Sequence, residues 1–343
     1  MRRAFLDVIG NEPLREQLAH DIAGNTLSHA YLLEGDAGTG KHTLALRIAA
    51  ALACERREDS DAPIPCGTCP SCRKILSGNS PDVIYVNRGE KATLGVDEIR
   101  AVTQDVYVAP NDVATKTYVI EDAHLMTEQA QNALLLTLEE PPAYVLFLLL
   151  CQSVTPLLET IRSRAPTLRL SRLDPAQIDR YLTAHSTDAA QLKKTAPDEY
   201  AELLVAAEGS IGRALSLLDA RGRRSILGKR ANARTFARLC AKRKNSAESL
   251  RFLNSLGQKR DDLTEQFNVM LLCLRDLIAV KLADTPPLCF FADAEEAHEL
   301  AYDFTTPELL SLYHSLGEAI ESLRMNANVR LTLTSLAVNA KLL

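Results

Sequence analysis

Short apolar-rich runs alternate with amphipathic stretches over the first half of the chain. Tyr31–Glu34, Val83–Val86, Tyr118–Glu121, Leu146–Cys151 and Thr167–Leu170 have strand length and apolar character. Between them, Lys41–Ala53, Asp97–Val106, Glu128–Glu139 and Thr155–Ser163 carry apolar residues at helical spacing. This alternation predicts a mostly parallel sheet with helices on both faces, and places ligand-handling loops beyond the carboxyl ends of the strands.

After Ser171 the strand signal fades. Asp174–His185 and Asp198–Ala220 are helical by periodicity, with a glycine-bearing turn in Glu208–Gly212. From Arg221 to Leu343 the pattern is helical again. There Thr306 is expected as an N-cap, with Pro307 at the first position and Glu308 in the first turn. Leu309, Leu312, Tyr313, Leu316, Ile320 and Leu323 then form one apolar face. The expected organisation is α/β followed by all-α: a core at 1–170, a small helical domain at 171–220 and a larger one at 221–343.

Composition narrows the possibilities. With 46% hydrophobic and 24% charged residues, the chain reads as an ordinary soluble globular protein. A net charge of −5 excludes wholesale attachment to nucleic-acid phosphates, and 5% aromatics without Trp argue against a row of base-stacking rings. The start, MRRAFLDVIGNEPL, has no apolar core of a signal peptide, and no uncharged run of about 18 residues predicts a membrane span. A cytoplasmic protein is expected, with no membrane partner.

Gly35-Asp-Ala-Gly38-Thr-Gly40-Lys41-His42-Thr43 follows a strand and opens a helix, the setting of a phosphate-binding loop. Its glycines let backbone N–H groups face phosphate oxygens, the helix N-terminus adds partial positive charge, and Lys41 adds a full one. The residue after the lysine ordinarily offers a hydroxyl to Mg²⁺. Here it is His42, and an imidazole suits a hard octahedral ion poorly. Thr43 is turned about 100° further around the helix. The strand Tyr118–Glu121 ends in adjacent acids, Glu121 and Asp122, where one carboxylate near Mg²⁺ and one aiming water would belong. The departure at His42 points to weak or absent ATP/Mg²⁺ binding and poor turnover.

Cys54, Cys66, Cys69 and Cys72 are spaced C-x11-C-x2-C-x2-C among turn-forming Pro63, Pro65, Gly67 and Pro70. Four thiolates suit a structural Zn²⁺ with no open coordination position. Cys151, Cys240, Cys273 and Cys289 lie in apolar contexts and are expected in the core.

Motif order adds a family resemblance. Phe5-Leu-Asp-Val-Ile-Gly10-Asn11-Glu12, His29-Ala30-Tyr31-Leu32, the phosphate loop, the cysteines, Gly95-Val-Asp97-Glu98-Ile99-Arg100, the acid pair and Ala133-Leu-Leu-Leu-Thr137-Leu-Glu139-Glu140-Pro141-Pro142 together resemble bacterial DNA polymerase III clamp-loader subunits of the AAA+ class. The resemblance implies an AAA+ core, a helical lid at 171–220 and a C-terminal collar at 221–343. It also implies partners: gamma/tau and delta subunits, with the sliding clamp and primed DNA met through the assembly. That class orders its acid pair Asp then Glu, so Glu121-Asp122 is inverted. With His42, and with Gln152 near the expected sensor-1 position, this points to the delta-prime type, a poor ATPase within the holoenzyme. The alternative is a gamma/tau-like motor.

By the same resemblance, Thr160-Ile-Arg162-Ser163-Arg164-Ala165 corresponds to the motif whose arginine reaches ATP on a neighbouring subunit. Arg164 is then a trans arginine, or else a surface ion-pair residue. Arg213, in Glu208-Gly-Ser-Ile-Gly-Arg213, resembles the sensor-2 position and has either that role or a structural one. Independently of any family, Arg221 to Lys244 holds ten Lys/Arg and no acid. Arg230, Arg234, Arg238 and Lys242 recur every fourth residue, predicting a basic stripe that is either solvated or faces DNA or an acidic subunit.

Overall fold

The computed structural model describes residues 5, 8–59, 61–242, 246–257, 259–283, 286–340 and 342, with the side chains of Lys242 and Ser246 outside the description. They form two compact units, Met1–Gln177 with Ser210–Gly212, and Ile178–Gly209 with Arg213–Leu343.

In the first unit, β1 (Ala30–Glu34), β2 (Val83–Val86), β3 (Lys116–Ile120), β4 (Val145–Cys151) and β5 (Thr167–Arg169) pair in parallel in the order β2-β3-β4-β1-β5. Alternate residues of the central strands serve opposite faces. Leu33, Leu148 and Leu150 join the core under α1 (Glu12–Ala23), α2 (Lys41–Leu52) and α3 (Pro70–Leu76). Leu32, Phe147 and Leu149 join the core under α4 (Val96–Asp105), α5 (Glu128–Glu139) and α6 (Glu159–Arg162). Both faces are therefore covered, as near-continuous apolar strands require. The phosphate loop leaves β1 and the acid pair leaves β3, with β4 between them.

All five expected strands are present, and β3 starts earlier than its apolar run. Lys116 opens it almost fully buried, its ammonium 2.8 Å from Asp105 and donating to the carbonyls of Asp105 and Val108. The helix expected over Thr155–Ser163 shrinks to α6. Pro156 has no N–H, and Gln131 of α5 takes the local backbone groups instead: its Oε1 accepts from Leu158 N–H at 2.8 Å and its Nε2 donates to Pro156 O at 3.4 Å.

The second unit is helical: most of α7 (Pro175–His185), α8 (Thr187–Thr195), α9 (Pro197–Ala206), all but the start of α10 (Ile211–Leu218), α11 (Ala220–Lys242), α12 (Ser246–Ser255), α13 (Arg260–Leu282), α14 (Ala294–Tyr302), α15 (Thr306–Arg324) and α16 (Val329–Asn339). Helix α13 is central, buries Phe267, Met270, Leu274 and Leu277, and packs on α11, α14 and α15. The expected α15 face is buried except for the half-exposed Tyr313. Its N-cap is Thr305 and not Thr306, in a reciprocal capping box with Glu308.

The first half of the basic stripe on α11, Arg230 and Arg234, is not a surface. Arg230 is 2% exposed, its guanidinium 4.4 Å from the Phe290 ring and donating to Phe290 O. Arg234 donates to Glu202 at 2.7 Å and to Glu296 at 2.7 and 3.2 Å. Arg238 is exposed, and the Lys242 side chain lies outside the described residues. Long-range acids on α9 and α14 reclaim half of what the local pattern made look solvated. Among the cysteines expected in the core, Cys151, Cys240 and Cys273 are buried and Cys289 is half-exposed. Among the described residues, no helix is long and apolar enough to cross a membrane.

Candidate functional site

The loop after β1 turns through Gly38 and Gly40, with φ of 76° and 93°, in the left-handed region that favours glycine. At Gly38 space is also decisive, because a Cβ there would lie 2.1 Å from the hydroxyl oxygen of Ser210. That hydroxyl donates to Gly38 O at 3.0 Å. Lys41 is the first residue of α2, and its ammonium folds back onto the carbonyls of Gly35 and Asp36. Burial holds its pKa below the usual lysine value, partly offset by Cys151, Asp36 and Asp122.

His42 follows. Its Nε2 lies 3.2 Å from Glu121 Oε1, and its ring stacks on Tyr85 of β2 with centroids 5.0 Å apart and planes 14° from parallel. Asp122 has φ of 49°, and its carboxylate lies 3.3 Å from Arg88 Nε. Thr43 is exposed. Each of the two acids at the end of β3 therefore has a basic side chain of the same chain beside it. Burial lowers the pKa of His124, opposed by Asp122, and its Nδ1 is 3.5 Å from Gln152 N. The glycines, helix N-terminus and Lys41 suit a phosphate group; the position after Lys41 does not suit Mg²⁺, since it offers an engaged imidazole where a hydroxyl oxygen is needed.

Cys54, at the end of α2, meets Cys66, Cys69 and Cys72 from the following loop and the start of α3. Their Sγ atoms all lie within 4.8 Å of one another, and Cys66 and Cys72 are 3.9 Å apart. Zn–S bonds of about 2.3 Å in a tetrahedron place sulfurs about 3.8 Å apart, so the cluster can hold zinc. Burial disfavours the Cys66 thiolate, but N–H and O–H donors from Cys69 and Thr68 together outweigh it and bring the pKa down to about 6. Burial pushes the Cys72 thiol up. The set is already biased toward one thiolate before any cation arrives.

Arg164, just after α6, is one-third exposed. Its Nη2 donates to Glu139 at 2.6 Å and its Nη1 to Thr160 O at 2.9 Å. Arg213 belongs to the second unit, with its Nη2 3.0 Å from Glu208. The structure thus brings together Gly35, Gly38, Gly40, Lys41, His42, Glu121 and Asp122 at the carboxyl ends of β1 and β3. The sequence reading missed Tyr85, Arg88, Ser210 and Glu139. The parallel pairing of β2 with β3 would have exposed the first two, since Arg88 lies two residues past Val86, which registers with Ile120. Ser210 and Glu139 lie inside quoted motifs, but nothing local marks their contacts with Gly38 and Arg164.

The family described as DNA polymerase III, delta subunit, matches residues 10–174. The subunit tau of Bacillus subtilis is 33% identical over 294 residues, covering 81% of this chain and 50% of that protein. The tau/gamma subunit of Haemophilus influenzae is 36% identical over 217 residues, covering 63% of this chain and 30% of that one. The chain thus spans half or less of the length of these relatives. Among solved structures, a DNA polymerase III gamma-subunit-related protein of Thermotoga maritima aligns with a TM-score of 0.46 and 18% identity, over 95% of this chain and 98% of that one.

Proposed function

The chain belongs to the clamp-loader family of AAA+ proteins, and on that premise we propose that it is a delta-prime-type subunit of the bacterial DNA polymerase III clamp loader. In this reading it is a scaffold that holds one end of the loader ring beside a gamma/tau-type ATPase. It acts in the cytoplasm with delta-type subunits, while the assembly opens the sliding clamp and places it on primed DNA. Residues 1–170 are its core, 171–220 its lid and 221–343 its collar. The four cysteines hold a structural Zn²⁺. Its own triphosphate site is idle, and Arg164 is the catalytic residue it lends to the neighbour.

The observation that carries this reading is that His42 stands beside Glu121 and Arg88 beside Asp122. A site that turns over ATP needs one of these carboxylates for the ion and the other for water, and small displacements in positioning are costly, on the order of 100-fold per ångström. Arg164, in contrast, reaches solvent and is held by a surface ion pair and a carbonyl of its own turn. A guanidinium delivered to a neighbour's γ-phosphate contributes about 10³–10⁵ in rate in related phosphoryl transfers.

A gamma/tau-type motor is the second reading, and the names and 33–36% identities of the relatives favour it. The two are separated by assembling the chain with its motor and delta-type partners. The scaffold reading expects Arg164→Ala to lower DNA-stimulated ATPase by at least tenfold and Lys41→Ala to leave it near the starting level. Unchanged ATPase in Arg164→Ala would end the scaffold role, and loss of all turnover in Lys41→Ala would establish the motor.

A further inference from the structure

We propose that His42 fills the place of the divalent cation in the phosphate loop and keeps magnesium out, so that any nucleoside phosphate held there is held without metal. The inference deepens the idle-site reading and rests on it. Magnesium demands near-octahedral oxygen ligands at about 2.0–2.1 Å and gives up its water reluctantly. In this chain the position that should provide the hydroxyl provides an imidazole instead, and that ring is fixed from two sides. Its Nε2 lies 3.2 Å from Glu121 Oε1, and its face lies on Tyr85. Glu121, the first acid after β3, is therefore engaged by a side chain from the head of α2. Asp122, the adjacent carboxylate that could take over, lies against Arg88, whose guanidinium also donates to Lys91 O. Thr43, the nearest hydroxyl in sequence on α2, is one residue too far around the helix and exposed.

The remaining parts still suit an anion. Gly38 and Gly40 keep the loop in its left-handed turns, Lys41 sits at the head of α2, and the ammonium rests on carbonyls from which a phosphate could draw it. Positive groups near the loop are thus the protein's own: Lys41 at the head of α2 and Arg88 beside Asp122.

The test uses the isolated full chain with its zinc in place, a fluorescent ADP analogue as probe, and Mn²⁺ as a spectroscopic substitute for Mg²⁺. The wild-type chain is expected to bind the analogue within about threefold as well without Mg²⁺ as with it, and to retain no Mn²⁺ by electron paramagnetic resonance. His42→Thr is expected to gain at least about tenfold in affinity when Mg²⁺ is added and to retain one Mn²⁺ per bound nucleotide. His42→Ser is the second variant, and circular dichroism checks that both fold. If the wild-type chain binds no analogue at all, the expected gain in the variants still decides the matter. Magnesium-enhanced binding by the wild type, or folded variants that remain indifferent to the metal, would overturn the proposal. Either failure leaves the Arg164 experiment standing, because that one is read in the assembled complex.

Discussion

Arg234→Ala separates a structural arginine from a phosphate-binding one. The guanidinium sits within a small ionic core: Glu296 on one side at 2.7 and 3.2 Å, Glu202 on another at 2.7 Å, and the Phe290 ring 5.1 Å away. Arg230 shares Glu202, at 3.6 Å. Truncating Arg234 removes three charge-assisted bonds and leaves two carboxylates with one cation between them. Breaking a buried pair costs about 3–5 kcal/mol. Glu202 and Glu296 are not fully buried, with side chains 27% and 35% exposed, so water recovers part of that. The expected loss is therefore about 2–4 kcal/mol, still large against a whole domain's stability. Urea unfolding followed by circular dichroism would measure it, and amide exchange in α9, α11 and α14 would locate it in the second unit. The DNA arm is equally specific. Deleting an arginine that neutralises one duplex phosphate lowers the slope of log affinity against log salt by about 0.9, whereas deleting an interior arginine leaves that slope alone. A stability loss below about 1 kcal/mol, or a slope reduced by about one, would refute the assignment.

Two further predictions concern the first unit. The chain as purified should carry one zinc, released in proportion to thiol titration; Cys66→Ser or Cys72→Ser should lose the metal and weaken the first unit, and metal-free but equally stable protein would refute the site. Asp82 is fully buried and accepts N–H bonds from Asn111, Asp112 and Val113 at 2.6, 2.7 and 3.0 Å. Burial raises its pKa, but these three donors prevail and hold it below the usual carboxylate range. Because the folded value is the lower one, its stabilisation is present above the unfolded pKa of about 3.9 and disappears as pH falls through the folded value. Asp82→Asn should then cost about 1–3 kcal/mol at neutral pH and progressively less in acid, and a penalty that is flat with pH would refute that account.

The strands, the loop glycines and the cysteine cluster were legible because each depends on a local pattern: a run of apolar residues, a spacing, a turn. Lys116 shows where locality ends. A lysine before an apolar run reads as loop. Only its backbone pairing with β4, where its N–H donates to Tyr144 O at 2.7 Å, makes it the first residue of β3. Asp105 and two nearby carbonyls take its buried ammonium. Arg230 and Arg234 are the same lesson in the other direction. Their four-residue spacing correctly puts them on one face of α11, but whether that face meets water depends on acids some 30 and 60 positions away. The missing magnesium hydroxyl was visible in the sequence. That its replacement would turn to Glu121 and stack on Tyr85 was not, since neither residue is near His42 along the chain.

In the proposed scaffold the two ends of this chemistry have different energetic requirements, so that one can lapse while the other persists. Adjacent carboxylates at the end of a buried strand repel each other unless cations accompany them. Arg88 lies beside Asp122 and His42 beside Glu121, so each carboxylate has a side-chain partner within the chain. Under the proposed trans role Arg164 faces the opposite demand, because it has to leave Glu139 to reach a neighbouring subunit. Its bond to Glu139 is short, at 2.6 Å, but both side chains reach solvent. Exposed pairs of this kind are worth about 0–1 kcal/mol. A triphosphate on an adjoining subunit offers several oxygens and more charge than a single carboxylate, so the exchange is favourable once the neighbour is in place. Glu139 therefore parks the guanidinium without trapping it. Glu139→Gln should leave assembly and ATPase in the complex within about threefold of the starting level. A loss as deep as that of Arg164→Ala would mean that Glu139 positions the arginine in the working state as well as the resting one.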